Sequence, residues 1–258
     1  MTGTYFDSYE IGYGAEVGWK AIEEGGSDPP PFDYVSHLLH ERINNIRTLT
    51  NSEEYILFLT DGRTFRYDLA RTKPYKGTRV NAKPFHYDNL TVYMRDCLPC
   101  QVARQIEADD AMALEHVSSK GTTIVCSRDK DLRQLPGWTY SWELGSQSSY
   151  GPIEVCETGE LYLSKDKKKL SGNGYAFFCA QLLMGDVADN IPGLKGVGPV
   201  AAYNTLSHCK TSEELYEAIE FSYQGMQDYL LEQGRLLWLT RSLDNYGYPN
   251  LWQLGQLR

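Results

Sequence analysis

No stretch of this sequence approaches the roughly 18 to 20 consecutive apolar residues that a bilayer-spanning helix requires, and the opening MTGTYFDSYE has neither the basic start nor the apolar centre of a secretory leader. The expectation is a soluble, intracellular protein with no membrane partner. Dense cysteine is missing as well. Six cysteines, at positions 97, 100, 126, 156, 179 and 209, are too sparse and irregular for a disulfide scaffold, so reduced thiols are expected. Cys97 and Cys100 form a close pair in CLPC, but without a second such pair or a histidine pair nothing completes a tetrahedral zinc site, and two small side chains at a turn is the reading they support. Positive charge is also in short supply: 25 Lys and Arg against 34 Asp and Glu leave a net charge of -9, which at first sight argues against a phosphate-rich partner. There is no internal repeat and no long linker, although EEGGSDPPPF (23–32) reads as a flexible surface loop.

What the sequence does contain is an alternation of short apolar runs and helical patterns. TYF leads to Asp7, YILFLT to Asp61, and TTIVCS to Arg128, Asp129, Lys130 and Asp131. Runs of four to six residues rich in β-branched and aromatic side chains are the signature of buried parallel strands. Between them, Val35, Leu38, Leu39, Ile43 and Ile46 keep the spacing of one helix face. The fold class is therefore α/β with a mostly parallel sheet flanked by helices. From about residue 150 a charged hairpin leads into helices near 175–185, 199–206 and 212–221, and the last stretch reads as a helix and an irregular tail closing over the core. The expected organisation is an α/β core over 1–150, a hairpin and helical region over 151–225 and a C-terminal extension over 226–258.

Ligands of open α/β sheets bind beyond the carboxyl ends of the strands, and this sequence places acids there. Asp7, Asp61, Asp129 and Asp131 follow strands, Glu107, Asp109 and Asp110 open a helix, and Asp186 and Asp189 precede a glycine-rich turn. Nine carboxylates at one site would repel one another by several kcal/mol at intermediate dielectric without cations. Oxygen donors without a histidine or cysteine set suit Mg²⁺, with Mn²⁺ as a substitute, and two such ions about 3.5 to 4 Å apart hydrolyse phosphodiesters. Setting those nine acids aside leaves the rest of the chain near neutral, so the acidic total no longer excludes DNA. A basic segment with interleaved aromatics, RTFRYDLARTKPYKGTR, follows the second acid and suits phosphates and bases. KDKKK (165–169) reads as a solvated hairpin turn. In GLKGVGPVAA, Gly193, Gly196 and Gly198 precede Pro199 at the first turn of a helix, a backbone anion site that is not a dinucleotide fingerprint.

EADD at 107–110, SRDKD at 127–131, GDVADNIPGLKGVGPVAA at 185–202 and YKGTR at 75–79 together resemble the flap endonuclease family, in the bacterial and phage branch of 5′ nucleases. The resemblance runs over about residues 2–221. It implies a PIN-like α/β domain with a helix-hairpin-helix (H3TH) region, two divalent metals, and hydrolysis of DNA, or of RNA on DNA, near 5′ ends, exonucleolytically or at flaps. The cell is then bacterial or phage-infected, the compartment cytoplasmic, the role in DNA replication or repair, and the protein a monomer. It further implies a first metal group of Asp7, Asp61, Glu107, Asp109 and Asp110 and a second of Asp129, Asp131, Asp186 and Asp189. Lys76, Arg79 and Asp110 carry catalysis. Tyr75 stacks on a base. Lys76, Arg79, Gly193, Lys195, Gly196, Val197 and Gly198 contact DNA, with K⁺ at the hairpin. Residues 88–97 read either as one helix of a threading arch or as part of an open one. A catalytically silent DNA-binding relative is the alternative in another class, weakened because all the matching acids are present. A ribonuclease of the wider PIN group would lack the glycine hairpin.

Overall fold

The computed structural model describes residues 29–79, 83–145 and 147–257, together with the backbone path of strand Gly3–Asp7. These residues form two compact units that are not consecutive in sequence. The first takes the described residues up to Gly62, those between Arg79 and Asp129, and Trp138–Ile153; the second takes Arg63–Arg79, Asp129–Gly137 and Glu154 onward.

The first unit is built on six strands: β1 (Gly3–Asp7), β2 (Glu54–Asp61), β3 (Cys100–Arg104), β4 (Ile124–Cys126), β5 (Gly137–Ser141) and β6 (Tyr150–Val155). Their order is β3-β2-β1-β4-β5-β6, and the pairs β1–β2, β1–β4, β2–β3 and β4–β5 are all parallel. Leu57, Phe58 and Leu59 of β2 are all buried, as a strand covered on both faces must be. One cover is α1 (Phe32–Thr50), whose Val35, Leu39, Ile43 and Ile46 are buried at three- and four-residue spacing. It stops at Asn51, which adopts the left-handed conformation and returns its N–H to the last turn. A second helix, α2 (Tyr87–Cys97), adds Leu90 and Met94 to the cluster that holds Leu57 and Leu59. Residues 88–97 thus lie within one helix, whose Leu90 and Met94 pack into this core while Val92 stays exposed. The third helix, α3 (Ala108–Ser118), is tied to the other face, since Ala108 N–H donates to Thr60 Oγ1 at 2.8 Å, and Thr60, next to Leu59 in the strand, points the opposite way.

The second unit is organised around α4 (Gly174–Met184), which is apolar on every side and buried from Gly174 to Leu183, the pattern of a helix with no solvent face. Its Tyr175 and Phe178 pack against Trp238, and Phe178 also against Trp252. Helices α5 (Pro199–Leu206), α6 (Ser212–Ser222) and α7 (Gln227–Leu237) complete the layer, and the hairpin of β7 (Leu161–Leu163) and β8 (Leu170–Gly172) carries the lysine-rich turn at its exposed tip. The last residues close on this core through Trp252, which is fully buried. Residues 63–79 are stitched along α7. Buried Arg66 donates to the carbonyls of Leu236 and Trp238 at 2.9 and 2.8 Å, closing the helix end where carbonyls lack intrahelical partners. Glu232 accepts the N–H groups of Arg71 and Thr72 and the Thr72 hydroxyl, each at 2.7 Å.

Among the described residues no helix is long and apolar enough to cross a membrane, and no cysteine pair forms a disulfide. Cys97 ends α2 and Cys100 begins β3, so CLPC is the turn between them.

Candidate functional site

In the first unit the expected acids lie at the carboxyl edge of the sheet. Asp7 ends β1; its side chain lies outside the described residues. Asp7 pairs in register with Phe58, three residues before Asp61 on β2. Asp61 is exposed and accepts from Arg104 Nε at 3.3 Å, its cross-strand neighbour. Since Thr60 faces α3, Asp61 faces the opposite side of the sheet, away from the acids that open that helix. Those acids have a local role. Glu107 and Asp110 form a capping box at the N-terminus of α3, with Glu107 N–H donating to Asp110 Oδ2 at 3.0 Å and Asp110 fully buried. Carboxylates there also oppose the positive end of the helix dipole. Asp109 is half-buried beside them.

In the second unit three segments meet. Asp129 caps a 3₁₀ helix (Lys130–Gln134) by accepting Asp131 N–H at 2.9 Å. Asp131 Oδ1 accepts from Gln181 Nε2 at 2.6 Å, and the same amide lies 3.5 Å from Asp186 Oδ2. Gln181 in turn accepts from Gln134 Nε2 at 2.8 Å, so a buried amide relay backs the acids. Asp186 is 3% exposed; its Oδ2 takes the Lys130 ammonium at 2.5 Å and its Oδ1 the Ala188 N–H at 2.8 Å. Burial pushes the Asp131 carboxyl well above the usual carboxylate range, with the charge of Asp129 adding to it. Asp129 is raised too, burial outweighing the Asp131 N–H and the nearby lysines. Lys130 is held above its ordinary value because Asp131, Asp186 and Asp129 together outweigh its own desolvation. Burial is thus the main cause for both aspartates, with carboxylate neighbours adding to it and Lys130 only partly offsetting it.

The basic strap is fastened to the same loop. Lys76 N–H donates to Asp189 O at 2.9 Å with Lys76 in the left-handed region at φ 52°, and Asn190 Nδ2 donates to Pro74 O at 2.9 Å. Asp189 uses both carboxylate oxygens: Oδ1 accepts from Arg79 Nη2 at 2.7 Å and Oδ2 from the Tyr75 hydroxyl at 2.8 Å. Two expectations change here. Tyr75 is 4% exposed and part of the core, so its ring is not presented for base stacking. Asp189, expected among the metal ligands, is engaged at both oxygens by protein donors.

The glycine turn also divides. Gly185 and Gly193 sit back to back, both at positive φ, and a Cβ on Gly193 would stand 2.2 Å from Gly185 N. Gly193 is buried and is held by Gln233 and Tyr229. It closes the loop on itself, where sequence reasoning had it touching DNA. Gly196, at φ 81°, has nothing within 4 Å of a built Cβ, and neither does Gly198, the residue before Pro199 at the start of α5. Lys195 and Gly196 are exposed and Val197 is half-buried. Among the described residues no three carboxylate, histidine or cysteine side chains form a group that could hold a metal ion. Sequence reasoning missed Gln181 and Gln134, although a lone glutamine inside the apolar run FFCAQLLM was a visible signal. It also passed over Lys130, which stands between two acids.

This α/β fold is the fold of a phage nuclease. The chain aligns over 90% of its length with the T5 5′-exonuclease bound to divalent metal ions (zinc), with a TM-score of 0.56, 18% identity and 84% of that chain covered. It aligns over 89% of its length with the bacteriophage T5 flap endonuclease in a pseudo-enzyme–product complex with DNA and metal ions, at a TM-score of 0.59, 16% identity and 83% of that chain. In sequence it is similar to the flap endonuclease Xni of Shewanella frigidimarina, 32% identical over 120 residues, which are 45% of this chain and 43% of the relative. It is also similar to DNA polymerase I of Caldicellulosiruptor bescii, 28% identical over 185 residues, 67% of this chain and 21% of the relative. The matched region thus spans less than half of the first relative and about a fifth of the second. No protein-family model matches the chain.

Proposed function

We propose that this protein is a divalent-metal-dependent nuclease that hydrolyses phosphodiester bonds near the 5′ ends of DNA, as a 5′–3′ exonuclease, a 5′-flap endonuclease, or both. The observation that carries the reading lies within the second unit. One loop bears a buried acid at its start, Asp186, and an open glycine turn leading into a helix N-terminus at its end, and the strap that contains Lys76 and Arg79 is bonded to that loop. Similarity to proteins named flap endonuclease supports the same conclusion.

The donor chemistry fits hard divalent cations, since it is oxygen only and Asp129 and Asp131 are buried carboxylates, raised first by desolvation and further by neighbouring carboxylate charge, whose charged forms a cation would stabilise. Asp129, Asp131 and Asp186 would supply carboxylate oxygens to one ion, with water completing a shell that the three do not close by themselves, and Asp7, Glu107, Asp109 and Asp110 would supply those of a second; Asp61, on the opposite side of the sheet from the start of α3, would reach it only through water. Bound Mg²⁺, or Mn²⁺ in its place, supplies an activated water and charge neutralisation at the phosphate. The reaction adds water to phosphorus and breaks the bond to the 3′ oxygen, leaving a 5′-phosphate and a 3′-hydroxyl. The Lys76 ammonium and Arg79 guanidinium stabilise the charge that builds on the phosphate oxygens. Backbone N–H groups between Gly196 and Pro199, with Lys195, hold a duplex phosphate at the N-terminus of α5, and K⁺ between carbonyls and phosphate belongs to the same proposal. Acting as a monomer, the protein engages duplex DNA with a nick, flap or free 5′ end, or an RNA–DNA hybrid.

The test is incubation of the wild type, Lys76→Ala and Asp110→Asn with a labelled 5′-flap duplex, a blunt duplex and an RNA-primed duplex, with Mg²⁺ or with EDTA. Mg²⁺-dependent cleavage of at least one substrate is expected, with Lys76→Ala slower by roughly 10²- to 10³-fold. Absence of metal-dependent cleavage of all three overturns the reading.

A further inference from the structure

The geometry points to Asp189 as a positioning residue for Arg79 and Lys76, not a ligand of the metal. This rests on the nuclease reading above. Three of the bonds that join the strap to the tip of the loop converge on Asp189: its Oδ1 with Arg79 Nη2 at 2.7 Å, its Oδ2 with the Tyr75 hydroxyl at 2.8 Å, and its carbonyl with Lys76 N–H at 2.9 Å; Arg79 Nε also reaches the Ala188 carbonyl at 3.4 Å. Another runs from Asn190 to Pro74 O. A carboxylate that orients a guanidinium at one oxygen and is fixed by a buried hydroxyl at the other has its orientation set by the strap. The side chains fit that division of labour. Arg79 is 46% exposed and Asp189 14%, so the charged head of Arg79 reaches solvent while its anchor does not. Lys76 depends on the same residue through the backbone, because its left-handed φ of 52° is uncommon for a residue with a Cβ and needs surrounding structure to hold it.

Asp186, three residues earlier, differs in kind. Its oxygens bond Lys130, Gln181 and the turn N–H groups, whereas Asp189, whose charge also reaches Asp129 and Asp131, bonds the strap. The two aspartates of the DVAD motif therefore divide the work, Asp186 serving the cation and Asp189 the two basic side chains that meet the phosphate.

The experiment compares Asp189→Asn, Asp189→Ala, Arg79→Ala and the Asp189→Ala/Arg79→Ala double variant with the wild type. Mn²⁺ affinity is measured without DNA, single-turnover cleavage with Mg²⁺, and the Arg79 Nε–H resonance by NMR. Asp189→Asn keeps the side-chain size and an acceptor for Tyr75, so it reports on the charge if the alanine variant folds poorly. Mn²⁺ affinity within twofold of wild type, a rate loss matching that of Arg79→Ala, and a double variant within twofold of the worse single variant are expected, with the Arg79 signal lost in Asp189→Asn. A tenfold or greater fall in Mn²⁺ affinity, multiplicative rate losses, or an unchanged Arg79 signal overturns the proposal. Should the wild type cleave nothing, the nuclease reading fails, while the NMR and Mn²⁺ measurements still decide the role of Asp189.

Discussion

At Asp131 stability and chemistry pull in opposite directions. Its carboxyl is raised well above the ordinary value of 3.8, first by burial and then by the neighbouring charge of Asp129. A carboxyl raised on folding binds its proton more tightly in the native than in the unfolded state, so stability falls as pH climbs from the unfolded value through the folded one, and the cost persists at neutral pH. Replacing Asp131 by Asn keeps the acceptor for Gln181 and removes the charge. In the absence of divalent cations Asp131→Asn should melt higher than wild type at pH 7, by roughly 2–4 °C for each kcal/mol relieved in a chain of this size, with the gap closing below pH 4. Added Mg²⁺ should raise the melting temperature of the wild type more than that of the variant; an equal rise would remove Asp131 from the cation site. Single acids were legible in the sequence because strand ends and helix starts can be read from periodicity. What each acid touches was not. The Asp61 side chain faces away from α3 because strand side chains alternate, and Tyr75 is buried because its hydroxyl has Asp189 to bond, a pairing 114 residues apart that no local pattern announces.

Among the elements, the loop between α4 and α5 shows why a glycine pattern has to be taken apart. Gly193 closes against Gly185 at distances no Cβ allows, with the contact made to backbone that has no room to move. Gly193→Ala should therefore lower stability by several kcal/mol in urea melts, among the larger effects single substitutions produce. Gly196 has open space around it and pays only for its positive φ, so Gly196→Ala should cost about 1–2 kcal/mol. A bulkier Gly196→Val should weaken duplex binding more than it destabilises the fold, and unchanged affinity would count against the hairpin as a phosphate clamp. The sequence placed all three glycines in one motif; separating a packing glycine from an exposed one required the partner across the turn. Element positions were otherwise well predicted where the patterns are long, as in α1, α5 and α6. Strands β3 and β5 escaped notice because CQVAR and GWTYS mix polar and apolar residues, and the segment of β6 was read as part of the following hairpin although it pairs at the edge of the sheet.

The whole molecule carries more negative than positive charge, so any DNA affinity has to come from a few placed cations. If Lys76, Arg79 and Lys195 each meet one phosphate, the salt slope for duplex binding is about -2.7, which amounts to a roughly 40-fold loss between 50 and 200 mM salt. A measured slope near zero would disconnect these residues from the phosphate backbone. The alternation of strands and helices made the α/β class readable in advance. The assignment of residues 63–79 and 129–137 to the unit of the C-terminal helices was not, because it depends on contacts such as Arg66 with Trp238 that pair residues 172 positions apart.

That long-range stitching has a consequence for how the chain is made. The strap ending at Arg79 leaves the ribosome early, yet the carbonyls that receive Arg66, the carboxylate that receives Arg71 and Thr72, and the tryptophan at position 252 that completes the same core are all synthesised late. At translation rates of roughly 5–20 residues per second, the strap waits on the order of ten seconds or more, exposed and basic, before its partners exist. The second unit therefore folds only after residue 252 has been made, and slowing translation between residues 79 and 252 should lengthen the period in which residues 63–79 are open to protease.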